Sequence, residues 1–427
     1  MNKPTQSIYD LAVIGGGPSG MMAAGTAASH GLSVILIEKN DSLGKKLLIT
    51  GGGRCNLTNA EFDNKKFLSK FKDDSKFLFS PFSKFSVKDT LNFFNGCGMK
   101  TKVEVGNRVF PMSNSSKSVF DVMVNYLKEN KVTILTSSPI ISLGTEKDKV
   151  TQINLKDKTT IKARSYILAT GGKSHKETGS TGDGFKWLEK IGHTIIEQGA
   201  SLVPIKAYDT WVHSLSGLSL ENIKLTTCLD NKKQNKFIGK ILFTHFGLSG
   251  PMILNMSKEI SELLKYGEVE IELDLMPKVD LGTLDKNLQE VLKNNQNKKI
   301  KNTLSEIVHP RLAPIILDIS KIEKDKPVNI LTKSERLLLV RLIKGLKIKI
   351  IGLMGEEKAI ITSGGLDLKE VDFKSMSSIK YPNLFVVGDI LNIDRPSGGY
   401  SLQLCWTTGF VAGESAATYV KDIKQNL

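Results

Sequence analysis

The most constraining stretch of the chain is YDLAVIGGGPSGMMAAGTAASHGLSVILIEKN, Tyr9 to Asn40. An apolar run, Leu11 to Ile14, stops at glycines, an alanine-rich segment follows, and a second apolar run, Val34 to Ile37, ends on Glu38. This reads as strand, tight turn, helix, strand. Gly15, Gly17 and Gly20 stand in GxGxxG spacing, with Pro18 and Ser19 in the first turn of the helix. Gly15 permits the turn, Gly17 lets backbone amides approach a pyrophosphate, and Gly20 lets helix and strand pack closely. The helix N-terminus favours the negative charge. Glu38, with Lys39 beside it, falls about twenty residues on, where a carboxylate bonds the hydroxyls of an adenosine ribose. GxGxxG alone is weak; with its strand, helix and acid it specifies a dinucleotide-binding unit, without separating FAD from NAD.

Three further stretches make that separation. DSLGKKLLITGGGRCNLTN leaves the second strand for a glycine-dense loop carrying Lys45, Lys46, Gly53, Arg54, Cys55, Asn56 and Asn59. Exposed backbone amides there can lie against a flat ligand without side-chain obstruction. SYILATGGKS, Ser165 to Ser174, is a strand ending in Thr170, Gly171 and Gly172, where the chain rejoins the dinucleotide sheet. LFVVGDILNIDRPSGGYSLQLCWTTGFVAG, Leu384 to Gly413, is a strand ending in Gly388 and Asp389, then a glycine pair opening a long helix of small residues. A carboxylate at that strand end suits a ribityl hydroxyl, and the helix start at Gly399, Tyr400 and Ser401 can stabilise negative charge on a flavin's pyrimidine side. A dinucleotide fold assembled from both ends of the chain favours FAD. No second complete GxGxxG–strand–Glu unit occurs, so NADH or NADPH, as reductant, is expected to visit and leave.

Composition narrows the class further. A chain of 427 residues with 40% hydrophobic and 24% charged residues is an ordinary globular sequence long enough for two or three domains. No apolar run approaches the ~20 residues of a membrane span, and the N-terminus lacks a leader's cleavage pattern; a cytoplasmic protein is expected. Cys55, Cys97, Cys228 and Cys405 are scattered, which disfavours a disulfide framework or structural zinc. No HExxH, cysteine cluster or paired-Asp loop suggests a metal, and GLSGP lacks the second glycine of a hydrolase nucleophile elbow. The net charge of +15 fits a polyanionic partner or reflects lysine-biased text such as KNNQNKKIKN.

At this point the residues resemble a known family. GxGxxG, TGGGRCNLTN, ATGGKS with GSTGDGF, FTHFGLSGP, TSGGLDL and GDILNIDRPSGGYSLQ together resemble the BaiN/RdsA-like (YhiN-like) FAD-dependent oxidoreductases, over essentially Tyr9 to Ala417. One departure is Ser401, where that family usually carries asparagine; serine still caps a helix. The resemblance implies an α/β chain with a discontinuous FAD-binding Rossmann-like domain, an inserted β-rich domain and a small helical subdomain. The expected boundaries are 1–194 for the first FAD-binding part, 195–275 for the β-rich domain, 276–345 for the helical insertion and 346–427 for the return. KLTTCLDNK and EVEIELDL read as strands; LDKNLQEVLKNN, RLAPIILDIS and SERLLLVRLIKGL read as helices; AIITSGGL begins the return.

The family's activities, as the resemblance implies them, are reductions of unsaturated substrates, including bile-acid intermediates and uridine of 23S rRNA. Reducing such a bond needs a hydride from reduced flavin and a proton from an acid. Cys55, His245 and Tyr400 are the expected acids. Cys55 is either that donor or a small residue packed under its loop; Arg54 can lower its pKa or hold a phosphate or the flavin carbonyls. For 23S rRNA or its precursor, the expected contacts are Lys293, Lys298, Lys299, Lys301, Arg336, Arg341, Lys344, Lys347 and Lys349; the bland alternative is a solvated face. A small unsaturated or amine substrate is the other reading.

Overall fold

The six residues of β1 (Tyr9–Ile14) are all buried, and β1 runs into α1 (Pro18–Ser29) and then β2 (Val34–Ile37). This computed structural model describes residues 8–355 and 361–425, the side chains at 197–201 and 361–363 excepted. Residues 1–7, and Ala359 and Ile360 of the return stretch, lie outside the described residues. Three later strands join the first two: β3 (Thr133–Leu135), β4 (Ala163–Leu168) and, after a long excursion, β5 (Leu384–Val386). The order is β5–β4–β1–β2–β3, every pair parallel. A parallel sheet is covered on both faces, which is why VILI and the core of YDLAVI are continuous apolar runs rather than alternating ones.

Helix packing explains the small residues at both ends of the sequence. The helix α2 (Asp183–Lys190) follows β4, and α3 (Tyr400–Gln425) follows β5. A methyl group at Gly409 would stand 2.5 Å from the Ser19 carbonyl oxygen, and one at Gly413 2.7 Å from that of Ala23. The backbone of α3 therefore lies directly on α1, a contact that even an alanine at these two positions would disturb. Trp406 also anchors α3, fully buried with Nε1 donating to Leu57 O at 3.1 Å.

The chain divides into two units, Met1–Ala200 with Ala359–Leu427, and Ser201–Lys358. The second contains a closed antiparallel barrel in the order Ile205–Ala207, Gly247–Ser249, Lys232–Thr244, Ser219–Leu229, Val269–Asp274, Leu346–Leu353, the last strand pairing with the first. Closure removes the edges that an open sheet would expose. Helices Leu281–Asn294, Ile300–Leu304, Ala313–Ser320 and Lys333–Lys344 share the barrel's core through Leu284, Leu288, Ile316 and Ile343. Asp280 caps the first of these helices and Thr332 with Glu335 forms a capping box on the last. Among the described residues no helix is long and apolar enough to cross a membrane.

In the first unit, a buried polar set ties the exit of α2 to the segment preceding β5. His193, its side chain inaccessible, has Nδ1 2.6 Å from Glu370 Oε2. Its Nε2 lies 3.1 Å from Ser378 Oγ, which also accepts from the backbone N–H groups of Lys380 and Tyr381. Burial lowers the His193 pKa, against the opposing pull of Glu370. Burial would raise Glu370, but hydrogen bonds from His193, Thr194 and Lys380 bring it down to about 2. A histidine depressed in the fold leaves the unfolded chain holding more protons, so stability falls as pH drops through about 6.5. Glu370 acts in the same direction at lower pH. Wild-type melting temperature should therefore decline from about pH 7.5 to about pH 5 more steeply than that of His193→Gln; parallel melting curves for the two proteins would remove His193 from the acid response.

Candidate functional site

The β1–α1 turn is built by contacts that exclude side chains at two positions and by an open space at a third. Gly15 has φ +104°, and a methyl group on it would meet the Ala169 carbonyl oxygen at 2.5 Å; one on Gly20 would meet the Gly15 oxygen at 1.9 Å. At Gly17 a methyl group would meet nothing within 4 Å. No side chain caps the start of α1, so its first amides point at the same open space. Glu38, buried at the end of β2, accepts from the Gly16 N–H at 2.8 Å and from the Asn40 N–H at 2.9 Å, which fixes its carboxylate beside the turn.

A second wall comes from residues 170–183. Lys39 Nζ donates to Thr181 Oγ1 at 2.5 Å and to Asp183 at 2.9 Å, Asn40 Nδ2 to Thr178 O at 3.0 Å, and Lys46 Nζ to Ser174 Oγ at 2.6 Å. The Asp183 carboxyl is raised by burial but lowered overall by Thr181 and Lys39. The end of β5 and the start of α3 supply the third wall, Asp389, Ser401, Leu402 and Cys405. Together these walls border about 1280 Å³ of empty space, open mouth included. One feature fits a bound dinucleotide: the open space beside Gly17 at an uncapped helix end.

Of the residues expected to bind cofactor, Gly15, Gly17, Pro18, Ser19, Glu38, Lys39, Lys46, Thr170, Gly171, Asp389 and Ser401 line this cleft. Gly20 packs under the turn, and Gly388, at φ +76°, lies where a methyl group would meet Ser19 Oγ at 2.6 Å. Gly399 faces away from the cleft, its Cβ direction 2.3 Å from the Thr58 carbonyl carbon. From the TGGGRCN loop only Thr50 reaches the cleft. Gly51, Gly52 and Gly53 all have left-handed φ. Arg54 bonds Asn114 and Glu104 and stacks over Phe110 at 4.2 Å. Asn56, with its amide oriented to satisfy its neighbours, donates to Thr58 O and Val109 O and accepts from the Gly399 N–H.

The three expected acids have different surroundings. Cys55 is completely buried in the core beside Leu47 and Leu57, and burial pushes its thiol up to about 12. That is the environment of a packing residue, and Arg54 does not appear among the groups that move it. Tyr400 is buried with its ring 4.7 Å from that of Phe67 and 5.9 Å from that of Phe71; burial, then Glu61, raises its pKa. His245 stands in the second unit between strands Lys232–Thr244 and Gly247–Ser249, exposed, its ring 4.8 Å from Phe246.

The lysine-rich contacts also sort themselves. Lys347 and Lys349 belong to barrel strand Leu346–Leu353 rather than to the helical stretch. Seven of the nine basic residues pair with carboxylates: Lys298 with Glu306, Lys299 and Lys301 with Asp325, Arg336 with Asp285, Lys344 with Asp274, Lys347 with Glu270 and Lys349 with Glu268. Arg336 is bidentate, and Lys344 also donates to the carbonyls of Met276 and Val279, so both are structural. Asn40 and the Thr178–Asp183 wall are not among the expected cofactor contacts, although the motif GSTGDGF marks most of that wall in the sequence.

The chain matches the HI0933-like protein Rossmann domain family over residues 9–415. It is 30% identical over 411 residues to the 3-dehydro-bile acid delta(4,6)-reductase of Clostridium scindens, covering 95% of this chain and 98% of that one. It is 27% identical over 406 residues to the ribosomal RNA dihydrouridine synthase of Escherichia coli, covering 95% and 97%. Among solved structures, the 3-ketosteroid delta1-dehydrogenase of Sterolibacterium denitrificans superimposes with a TM-score of 0.55 at 14% identity, covering 97% of this chain and all of that one. A flavocytochrome c3 fumarate reductase gives 0.51 at 16% identity, covering 97% and 79%. These two share the fold. The chain belongs to the HI0933-like Rossmann-domain family and is an FAD-dependent oxidoreductase.

Proposed function

We propose that the enzyme reduces a ring carbon–carbon double bond conjugated to a carbonyl, and that its substrate is uridine in 23S rRNA or its precursor. One observation carries the reaction class: relatives matching nearly the whole chain are named for a bile-acid reduction and for dihydrouridine formation, two substrates that share that bond. The net charge of +15 favours the RNA. Once held in the cleft and reduced, the flavin would supply the hydride needed at the carbon β to the carbonyl. The chain's own work is to hold the dinucleotide at the α1 terminus and Glu38, to orient it against Asp389 and Ser401, and to deliver one proton to the adjacent carbon. His245 is the proposed donor, because of the three acids it alone is exposed and so able to exchange its proton with solvent. NADH or NADPH is the proposed transient reductant, and the cytoplasm, where rRNA is made, the proposed location.

For RNA contact, Lys293 and Arg341 have no carboxylate partner among the described residues. The exposed pairs of Lys298, Lys299, Lys301, Lys347 and Lys349 are screened by water and weak, so phosphates can displace the carboxylates. A second reading, a small enone substrate with the charge incidental, is favoured by that same pairing and by the 30% identity to the bile-acid reductase. Nucleoside mass spectrometry of 23S rRNA separates the two. Deleting the gene should remove dihydrouridine, and restoring it should bring the modification back; an unchanged level rejects RNA and leaves the enone.

A further inference from the structure

Arg395 stands behind the cleft wall and was not singled out by its sequence neighbourhood. Its side chain is 1% exposed, yet it carries a permanent charge. Each nitrogen of its fork is engaged: Nε donates to Ser401 Oγ at 3.0 Å, Nη1 to Ile393 O at 2.6 Å, and Nη2 to Asp389 Oδ1. On the other side of the carboxylate, Lys46 Nζ lies 3.5 Å from Asp389 Oδ2 while donating to Ser174 Oγ. Asp389, Ser401 and Lys46 all line the cleft and Arg395 does not. A cation buried behind two wall residues is costly unless it is paired, and here both of its side-chain partners are wall groups. A lysine ammonium is a point charge and cannot span the same three acceptors.

We propose that Arg395 is a positioning residue for the cofactor, its planar fork orienting the Asp389 carboxylate and the Ser401 hydroxyl in the cleft wall. The inference rests on the cleft being the FAD site. The charged or titratable groups facing Asp389 are Arg395, Lys46 and the Cys405 thiol. Burial pushes Cys405 up to about 12, with the Asp389 charge adding to it, so the thiol stays neutral. Burial likewise opposes ionisation of Asp389, and the Arg395 and Lys46 charges outweigh it. Without Arg395, burial is opposed by Lys46 alone, and the Asp389 carboxyl rises.

The test is FAD binding to the full-length apoprotein, followed by quenching of flavin fluorescence from about pH 8 to about pH 5. Wild type should bind with an affinity that hardly changes over this range. R395Q should bind about 10-fold more weakly at high pH and lose on the order of another 10-fold towards low pH, as the charge-assisted bond from Asp389 is lost. R395K keeps a charge without the fork, so it should be weaker than wild type throughout but as flat with pH. Wild-type affinity in R395Q across the range overturns the proposal, as does a pH-dependent loss that R395K shares. If R395Q does not fold, R395K decides alone: affinity equal to wild type overturns the positioning role. Apoprotein of wild type that takes up no FAD rejects the cofactor reading itself, a result distinct from wild-type binding with unaffected variants.

Discussion

Gly20→Ala should melt at a lower temperature than wild type, whereas Gly17→Ala should yield folded protein without cofactor. The two glycines are three residues apart in one motif and differ in what surrounds them. At position 20 the added methyl would sit 1.9 Å from the Gly15 carbonyl oxygen, with Ala169 Cβ behind it at 3.2 Å. Its helical position would gain ~1 kcal/mol from alanine's propensity. Overpacking against backbone that cannot yield costs ~1–3 kcal/mol or more, and the turn it distorts leads from β1, the central strand of the sheet, into α1. Net of that gain, the loss is on the order of 2 kcal/mol, a measurable part of a typical ~5–15 kcal/mol stability. At position 17 the backbone is extended, φ −79° and ψ −176°, open to any residue, and a methyl meets nothing. Alanine there changes apoprotein stability by ~1 kcal/mol or less. It occupies the space through which a pyrophosphate would approach the amides of α1. Circular dichroism with flavin absorbance reads both variants: a folded, fully flavinylated Gly17→Ala protein would show that the pyrophosphate does not sit at this turn.

His245→Ala should lower turnover by ~10²–10⁴-fold, the range for loss of a positioned general acid, while leaving FAD content unchanged. Under the proposed mechanism the side chain acts after hydride leaves, so reduction by NADH or NADPH in the absence of substrate should run at the wild-type rate. Rapid mixing of the pre-reduced variant with uridine-containing 23S rRNA or with an enone then isolates the defect to reoxidation. Equal slowing of both half-reactions would indicate a disturbed cofactor site, and no slowing would return the donor role to Tyr400, testable as Tyr400→Phe.

The part of the fold that depends on local pattern was readable in the linear chain. Gly15, Gly17, Gly20 and Glu38 lie within one strand–turn–helix–strand unit, and helices Leu281–Asn294, Ala313–Ser320 and Lys333–Lys344 follow from apolar spacing. What required long-range pairing was not. Lys39 and Asn40 meet Thr181 and Thr178 across about 140 residues of chain, and no local signal reports which lysine finds which hydroxyl. Arg395 looks like any loop arginine until Asp389 and Ser401 are brought to its fork. For Cys55 the residue type suits both a reactive thiol and a core position; Leu47 and Leu57 around it distinguish them, and that neighbourhood is three-dimensional. Net charge behaved similarly: +15 is a sum, and a sum is silent on Lys299 and Lys301 sharing Asp325.

The split origin of the parallel sheet has a consequence for how the molecule is made. Residues 201–358 are contiguous and leave the ribosomal exit tunnel with their own barrel core complete. At that moment the earlier unit still lacks β5, Asp389, Ser401 and the helix whose Gly409 and Gly413 lie against α1. Vectorial synthesis therefore delivers the third wall of the cleft last, and the nascent chain must shelter an unfinished sheet edge at β4 until residue 384 arrives.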